Sequence, residues 1–385
     1  MAHQSNLSTS NSDLASDAII PRRKIFTALG WACLWLLLID VTINILFSMP
    51  ALPTLRPNAI QQYFNYGRSV ESKLRYMVRD DKESTAPIAY AGWIGADQDS
   101  ILPIQASGSQ KILIAAYGQS FTFHLLDALH KIDPRFELNL QGGPAAPLAH
   151  SYALFEKDST HKQAKFVVLG VLASSLPRNV SPTTMTTWFE AATPYNYPRY
   201  YLEQGQLKVV KPFFNSLDEL RNGLKNSEIW EQYKDFLRVN DPAYHSYVFD
   251  TDVFDYSALG RLIRRGYSHK HVHEVNARYW DERGFKNTDG LLDVSNALIK
   301  NFAQQVRKKG QIPLVLLLQD RGYEDHLVKA FQETLTAHNI PYFSSHDIAP
   351  SSDLSNFISD GHFKPEIDIK LATALNKLLL QYLAN

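Results

Sequence analysis

The amino-acid sequence predicts an α/β protein: a doubly wound parallel sheet with a largely helical insertion, preceded by one transmembrane helix. Three observations indicate this fold class. An almost uninterrupted apolar run extends from Ile25 to Met49. Farther along, short apolar segments such as Lys111–Tyr117 alternate with amphipathic ones, which is typical of a parallel sheet covered by helices on both faces. From about residue 177 to residue 290 this alternation stops, and a long aromatic-rich stretch replaces it.

Composition limits the classes of function. The chain has 385 residues, of which 45% are hydrophobic and 12% aromatic, enough for a membrane helix and one large core. Its formal net charge of zero gives no sign of the basic face or tail that nucleic-acid binding favours. Cys33 is the only cysteine, so an intrachain disulfide is excluded. A eukaryotic secreted domain of this size would often carry several disulfides, so the composition favours a bacterial envelope protein.

The N-terminal region predicts a membrane anchor. Residues 1–24 are expected to form a disordered cytoplasmic tail, polar at first and basic at its end. Residues 25–49 suffice for a transmembrane helix, which needs roughly 20 residues, and they exceed the roughly 7–15 apolar residues of a signal peptide. Positively charged flanks stay in the cytoplasm. We therefore expect a single-pass protein of the cell inner membrane with its C-terminal domain in the periplasm.

Two polar residues, Asp40 and Asn44, interrupt the apolar run one helical turn apart. A carboxylate inside a bilayer costs about 2.5–3.5 kcal/mol on an insertion scale. One interpretation is that Asp40 lies near the outer interface or is protonated. The other is that the pair contacts a partner membrane helix, from a second copy or from another protein.

After the anchor, residues 50–110 are predicted to form a connection with a helical stalk from Asn58 to Arg79, and residues 111–385 to form one domain. The insertion at about residues 177–290 is expected to form a cap beside the active face. The predicted strands of the domain are Lys111–Tyr117, Phe136–Leu140, Lys165–Leu172, Ile312–Leu318 and Pro341–Phe343. The predicted helices are Phe121–Ile132, Ala145–Glu156, Val294–Lys309, Asp325–His338 and Glu366–Leu383.

The first candidate for chemistry is Ser120, which follows Gly118 and Gln119 at the end of the first predicted strand. In open parallel sheets, ligands bind outside the carboxyl ends of the strands. A serine there, at the start of a helix, has its hydroxyl beside free backbone N–H groups. The alternative is an ordinary N-cap, the commonest role for serine in this position.

A second motif precedes the last predicted helix. In an extended segment residues two apart point the same way, so Asp360 and His362 would share one side. An Asp bonded to one imidazole nitrogen leaves the other free to accept a serine proton. Gly142 and Gly143, after the second strand, would supply a backbone N–H to a developing oxyanion. Taken alone, the Asp–His motif also fits a loop with an N-cap Asp and a surface His.

Together these motifs resemble the SGNH (GDSL-like) hydrolase superfamily, in the same order and over roughly residues 111–175 and 311–383. The resemblance implies a three-layer α/β/α fold. The catalytic residues that it implies are the nucleophile Ser120, the general base His362 and its orienting carboxylate Asp360. The oxyanion donors that it implies are the backbone N–H groups of Ser120 and of Gly142 or Gly143.

The chain departs from the superfamily's pattern at three positions. Gln119 replaces the usual Asp, a variant known among carbohydrate O-acetylesterases of this superfamily. The Asp lies two residues before the His instead of three, as in alginate-type O-acetyltransferases. After its third strand the superfamily has an Asn that donates to the oxyanion. This chain lacks that Asn, and Ser174 or Ser175 would have to substitute. Since one oxyanion donor is worth about 2.7–4 kcal/mol, the alternatives are a slow enzyme and a non-catalytic domain.

Three alternating histidines, His269, His271 and His273, would bind a metal ion if their segment were extended. No carboxylate or cysteine pattern completes a recognised site, however. We therefore expect a solvated polar face there, and no metal or other cofactor in the protein.

The insertion contains the aromatic segment Pro194–Tyr201, which includes Tyr195, Tyr197 and Arg199. Amphipathic aromatic side chains suit stacking on sugar rings, and they equally suit ordinary packing at the edge of a domain. Both interpretations stay open at this point. If the first holds, these residues bind the substrate.

The sequence therefore predicts a membrane-anchored serine esterase or O-acyltransferase, with acetyl as the expected acyl group. The predicted substrate is a polysaccharide or acylated sugar. The alternative is a non-catalytic SGNH-like domain that binds polysaccharide or scaffolds an envelope export or biosynthesis complex. The missing Asn favours this alternative, whereas Ser120, Asp360 and His362 favour the enzyme.

Overall fold

The protein is described here by a computed structural model. The residues that it describes are 22–51, 56–78, 92–95, 111–158, 160–190 and 193–384. The chain divides into two compact units, Met1–Ser48 and Met49–Asn385.

The first unit contains helix α1 (Arg22–Leu46), which is 25 residues long. Its length and hydropathy suffice to cross a membrane, since about 20 residues span the hydrocarbon core. The helix includes the basic triplet, whereas the predicted span began after it at Ile25. Asn44 Nδ2 donates to the backbone oxygen of Asp40 at 2.9 Å, so the two residues share one face. The predicted cytoplasmic tail lies outside the described residues as far as residue 21.

The second unit alternates strands and helices after two short helices. Its first elements are α2 (Ala59–Asn65), α3 (Val70–Met77), β1 (Ile112–Gly118), α4 (Ser120–Ile132), β2 (Phe136–Gly142), α5 (Leu148–Lys157) and β3 (Phe166–Leu172). The insertion contributes β4 (Arg199–Glu203), β5 (Gln206–Val210), α6 (Leu217–Lys225), α7 (Ser227–Asn240), α8 (Ser246–Phe249), α9 (Ala258–Tyr279), β6 (Trp280–Asp281) and β7 (Gly284–Phe285). The remaining elements are α10 (Leu291–Lys308), β8 (Ile312–Leu318), α11 (His326–Ala337), β9 (Tyr342–Ser344) and α12 (Pro365–Ala384).

Five strands form one parallel sheet in the order β2-β1-β3-β8-β9. This is the 2-1-3-4-5 order of doubly wound sheets, in which ligands bind where the order reverses, here between the carboxyl ends of β1 and β3. Helices α5, α10 and α11 cover one face of the sheet, and α4 and α12 cover the other. The prediction of a parallel α/β sheet is confirmed, and the predicted bounds of its strands and helices are within three residues of those observed.

The predicted stalk is two helices, α2 and α3, rather than one. Ser69 caps α3 by accepting a backbone N–H at 3.1 Å. Just before it, Gly67 lies against the backbone of Arg261, whose carbonyl oxygen would be 2.0 Å from a Cβ at Gly67. Because α3 buries Val70 and Leu74 completely, it belongs to the core of the second unit and is not a free stalk. The parts of the predicted connection outside the described residues are 52–55, 79–91 and 96–110.

The insertion has an aromatic core of its own, which α3, α6 and α7 help to form. Members of this core include Tyr195, Tyr197, Phe214, Trp230, Tyr233 and Phe249. The insertion is largely helical, but the hairpin of β4 and β5 was not predicted. The hairpin turns at Gln204 and Gly205, whose φ angles of +50° and +76° fit a two-residue turn with both central residues left-handed.

Candidate active site

Ser120 is the first residue of α4 and comes two residues after the end of β1, at the point where the strand order reverses. Two glycines allow α4 to approach the sheet this closely. A Cβ on Gly118 or on Gly170 would lie 2.3 or 2.0 Å from Thr122 Oγ1, so a larger residue does not fit beside the first turn of the helix. The first N–H groups of a helix have no intrahelical acceptor, and the Ser120 N–H is one of them.

His362 and Asp360 reach Ser120 from a turn more than two hundred residues farther along the chain. The turn contains Gly361, whose φ of +98° is disfavoured for residues with a side chain. Ser120 Oγ and His362 Nε2 are 2.7 Å apart, and His362 Nδ1 and Asp360 Oδ1 are 3.1 Å apart. The three side chains predicted for catalysis therefore form one hydrogen-bonded chain.

The imidazole of His362 lies among aromatic rings. The Phe121 ring stacks on it with ring centroids 4.8 Å apart, and the centroid of the His124 ring is 5.1 Å away. Asp360 accepts from the backbone N–H and from the ring of His362, and these two hydrogen bonds lower the pKa of its carboxyl. With the Nδ1–H of His362 donating to Asp360, Nε2 is the nitrogen that accepts from the Ser120 hydroxyl.

Gly142 and Gly143 lie at the end of β2, beside the end of β1. In the sheet Gly142 pairs with Gly118, and a Cβ on Gly142 would be 1.8 Å from the Gly118 carbonyl oxygen. A Cβ on Gly143 would be 2.8 Å from the Cα of Gly92. Both glycines line the same cavity as Ser120. Their backbone therefore belongs to the site, in the position that the resemblance gives to an oxyanion donor.

After β3, where the resemblance expects an Asn as a further oxyanion donor, this chain has other residues. Ser174 follows β3 and lines the cavity, but its backbone N–H donates to Asp320 Oδ1 at 3.0 Å. Asn179, the next Asn in the sequence, is buried in a structural role. Its Oδ1 accepts from the Ala149 N–H at 2.9 Å, and its Nδ2 donates to Ser295 Oγ at 3.0 Å. The amide of Ser174 and the side chain of Asn179 are thus already engaged.

One cavity of about 670 Å³ joins these groups. The predicted site residues in its lining are Ser120, Gly142, Gly143, Ser174, Asp360 and His362. The rest of its lining was not predicted, and it includes the polar or aromatic side chains of Arg178, Trp188 and Asp320. Asp320 comes two residues after β8, so the rule that ligands bind at the carboxyl ends of strands would have found it. No sequence pattern marks Arg178 and Trp188, because their position depends on how the insertion packs.

The residues considered for sugar stacking lie elsewhere. Tyr195 and Tyr197 are each 1% exposed and pack in the aromatic core of the insertion. Arg199 donates through Nη1 to the backbone oxygen of Asn240 at 3.1 Å. Among the described residues that line the cavity, none of these three is present. The alternative of ordinary packing matches their positions.

The three alternating histidines, His269, His271 and His273, lie on the helix α9 and not in an extended segment. Residues two apart on a helix point in directions about 200° apart, so neighbouring histidines face different sides. His269 Nε2 lies 2.7 Å from Glu190 Oε1, and His271 Nε2 lies 3.0 Å from the Ala243 backbone oxygen. In the part of the chain that the structure describes, no three His, Cys, Asp or Glu side chains are grouped to hold a metal ion.

The arrangement is suited to acyl transfer. A serine hydroxyl bound to an imidazole nitrogen, with a carboxylate on the other nitrogen, can lose its proton as it attacks a carbonyl carbon. Comparisons with protein-family models, with curated proteins and with solved structures find no match for this chain. The function is therefore inferred from the geometry of the site and from its sequence motifs.

Proposed function

We propose that this chain is a membrane-anchored, extracytoplasmic serine esterase or O-acyltransferase that acts on a polysaccharide, with acetyl as the transferred group. The observation that carries the proposal is the 2.7 Å separation of Ser120 Oγ and His362 Nε2 at the carboxyl edge of the sheet. A nucleophile bonded to a base that a third group orients is the diagnostic arrangement for covalent acyl transfer. The resemblance of the same residues to the SGNH hydrolases also supports it.

In the first half of the reaction, Ser120 Oγ attacks the carbonyl carbon of the ester and its proton passes to His362 Nε2. The oxyanion of the tetrahedral intermediate accepts from the Ser120 N–H and from the backbone N–H of Gly142 or Gly143. When the intermediate collapses, the bond to the leaving alcohol breaks and that alcohol takes the proton from His362. Ser120 is left acylated, and Asp360 has kept the imidazole oriented throughout.

In the second half, a hydroxyl group attacks the acyl carbon of Ser120 while His362 Nε2 accepts its proton. The new carbon–oxygen bond forms, the bond to Ser120 breaks, and the proton returns to the serine oxygen. Water as the attacking group makes the protein an esterase. A sugar hydroxyl makes it an O-acyltransferase.

The proposal includes a location. The apolar helix α1 would cross the inner membrane once, and the triplet Arg22, Arg23 and Lys24 would keep the N-terminus in the cytoplasm. The second unit would then lie in the periplasm, where envelope polysaccharides are accessible. Asp40 and Asn44 on one face of α1 would suit a contact with a partner helix.

A second candidate is a non-catalytic domain that binds polysaccharide or scaffolds an envelope export or biosynthesis complex. The residues after β3 favour this second candidate. The expected Asn donor is missing, and the amide of Ser174 donates to Asp320 instead of facing a substrate. In that case the Ser120–His362 pair would be retained without turnover.

Release of acetate from an acetylated glycan by the full chain in detergent micelles tests the proposal. We expect turnover by the wild type and none by Ser120→Ala. The control is Ser227→Ala, because Ser227 is also the first residue of a helix, α7, but lies outside the cavity lining. It should keep wild-type turnover. Turnover that persists in Ser120→Ala would refute the mechanism, and an inactive wild type across several acyl donors and acceptors would favour the non-catalytic candidate.

A further inference from the structure

A second, smaller cavity adjoins the active-site cavity on the side of the insertion. Its volume is about 240 Å³, and its lining includes Val275 and Tyr279 of α9. Ser174, Arg178 and Trp188 line both cavities and therefore form the boundary between them. A ligand that extends from Ser120 across this boundary would contact Arg178 and Trp188.

Trp188 provides an aromatic surface at this boundary. Trp188 is 42% exposed, whereas Tyr195 and Tyr197 are buried. The guanidinium of Arg178 lies over the Trp188 ring at 5.3 Å from its centroid. An accessible, rigid ring of this kind suits the apolar face of a sugar. Stacking on a sugar ring, which was considered from the sequence for Tyr195 and Tyr197, is thus a role that fits Trp188.

Arg178 provides a positive charge at the same boundary. Its Nη1 donates to the backbone oxygen of Ala145 at 3.1 Å, a neutral acceptor. None of the salt bridges among the described residues includes Arg178, and burial lowers the pKa of its guanidinium. The Asp320 carboxylate is near enough to favour the charged form of the guanidinium, but it makes no salt bridge to Arg178, and its Oδ1 accepts from the Ser174 N–H. A half-buried guanidinium that lines a cavity and has no carboxylate within salt-bridge distance among the described residues is favourably placed to bind an anion.

We propose that Arg178 and Trp188 form a subsite for a sugar unit that carries a negative charge. The inference rests on the proposed function and narrows its substrate to an anionic polysaccharide. Trp188 would stack on the sugar ring while Arg178 binds its anionic group. The hydrogen bond to Ala145 fixes Arg178 beside the loop that contains Gly142 and Gly143, so the charged unit would lie close to the reacting ester.

Carboxylate and sulfate groups share the chemistry that Arg178 recognises, and a direct binding measurement separates them. The ligands are an oligogalacturonate, its carboxyl-reduced neutral form, and a sulfated form of that neutral oligosaccharide. Binding to the full chain in detergent micelles is measured by calorimetry with Ser120→Ala, which prevents turnover. We expect at least one anionic ligand to bind about tenfold more tightly than the neutral one, as a charge-assisted hydrogen bond implies. The better anionic ligand identifies the group.

Two variants assign this preference to its residues. Arg178→Met should abolish the preference for anionic ligands. Trp188→Leu should weaken the binding of anionic and neutral ligands alike. Arg278→Met is the matched control, since Arg278 also donates to a backbone carbonyl, of Pro242 at 2.9 Å, and lies over a tyrosine ring. It should keep the preference. If Arg178→Met does not fold, salt titration replaces it: rising salt should weaken binding of the anionic ligand and not of the neutral one.

Equal affinity for all three ligands, or a preference that survives Arg178→Met, would overturn the subsite. Hydrolysis of 4-nitrophenyl acetate, an ester without a sugar, is measured in parallel with the wild type. Activity on that ester without a charge preference would refute the subsite alone. A charge preference without any esterase activity would support the subsite and count against the proposed enzyme.

Discussion

Asp360 is the most accessible member of the candidate triad. Its side chain is 62% exposed, compared with 25% for that of His362. Water can therefore solvate the imidazole edge that the carboxylate now binds, whereas the Ser120 hydroxyl is the one that the structure shows bonded to His362 Nε2. The three residues should for this reason contribute unequally to turnover.

Asp360→Asn should reduce turnover less than Ser120→Ala does. The base would survive with a poorer tautomer and orientation, and in a well-studied serine protease the carboxylate alone matters roughly a hundredfold less than the nucleophile. The measurement is kcat/KM for a chromogenic ester, with thermal melts to check folding. A loss as large as that of Ser120→Ala would show that Asp360 does more than orient His362.

Asp241, in the insertion, makes stability depend on pH. Its carboxylate is buried and accepts from Thr186 Oγ1 at 2.6 Å and from the Ala243 N–H at 2.9 Å, and burial raises its pKa from 3.8 to about 6. The folded carboxyl keeps its proton up to about pH 6, whereas the unfolded one releases it near pH 3.8. Its contribution to stability is therefore complete at low pH and is lost as the pH rises through about 6.

The comparison with Asp241→Asn isolates this effect. Relative to the variant, the wild type should lose thermal stability between about pH 4 and pH 7. Melts of both proteins over that range, in the same buffer series and detergent, provide the measurement. A difference that stays constant, or that grows in favour of the wild type, would contradict the sign of the shift.

Turning to whole elements, the fit of α4 against the sheet depends on Gly170, where a Cβ would be 2.0 Å from Thr122 Oγ1. Gly170→Ala should therefore push the first turn of α4 outward, lower the melting temperature and reduce turnover, because Ser120 begins that turn. Adding Thr122→Ala to this variant should restore part of the melting temperature and part of the turnover, since it removes Oγ1, the atom nearest to the new Cβ. Failure of this rescue would mean that α4 is positioned by other contacts.

A matched control uses a glycine with free space. Gly266 lies within α9, and a Cβ there would meet nothing within 4 Å. Gly266→Ala should stabilise the protein by up to about 1 kcal/mol, because alanine loses less backbone entropy in a helix interior. Both glycine variants are read by thermal melts and by hydrolysis of the same chromogenic ester.

Local patterns explain which elements could be predicted. The strands β1, β3 and β8 are continuous apolar runs, so periodicity and composition suffice to find them. The hairpin of β4 and β5 was missed because it is half-exposed and carries charged residues such as Glu203 and Lys208. The break between α2 and α3 was missed because it depends on contact of Gly67 with Arg261, which is remote in sequence.

The same distinction applies to the candidate site. Ser120, Gly143 and Ser174 follow strands, so the topology of a parallel sheet brings them to one edge. The approach of Asp360 and His362 was predicted from their spacing and from the resemblance. Arg178 and Trp188 reach the cavity through the packing of the insertion on the sheet, which no local sequence pattern encodes. For the same reason the burial of Tyr195 and Tyr197 could not be decided from their sequence.

For the whole molecule, the proposed location makes a prediction about topology. Alkaline phosphatase fused after Asn385 should be active, because that enzyme works only outside the cytoplasm, and green fluorescent protein exported there should be dark. Moving the charges Arg22, Arg23 and Lys24 to the other end of α1 should reduce the phosphatase signal, since positive residues stay inside. The opposite reporter pattern would reverse the orientation and remove the envelope function with it.

The central claim is that His362 activates Ser120 as a nucleophile, and covalent labelling tests it most directly. The full chain in detergent micelles is treated with a fluorophosphonate, and the modified peptide is identified by mass spectrometry. We predict a single adduct on Ser120, none on Ser174 in the same cavity, much slower labelling of His362→Ala, and no labelling of Ser120→Ala. An unmodified wild type, or a rate of labelling that is the same in His362→Ala, would contradict the claim.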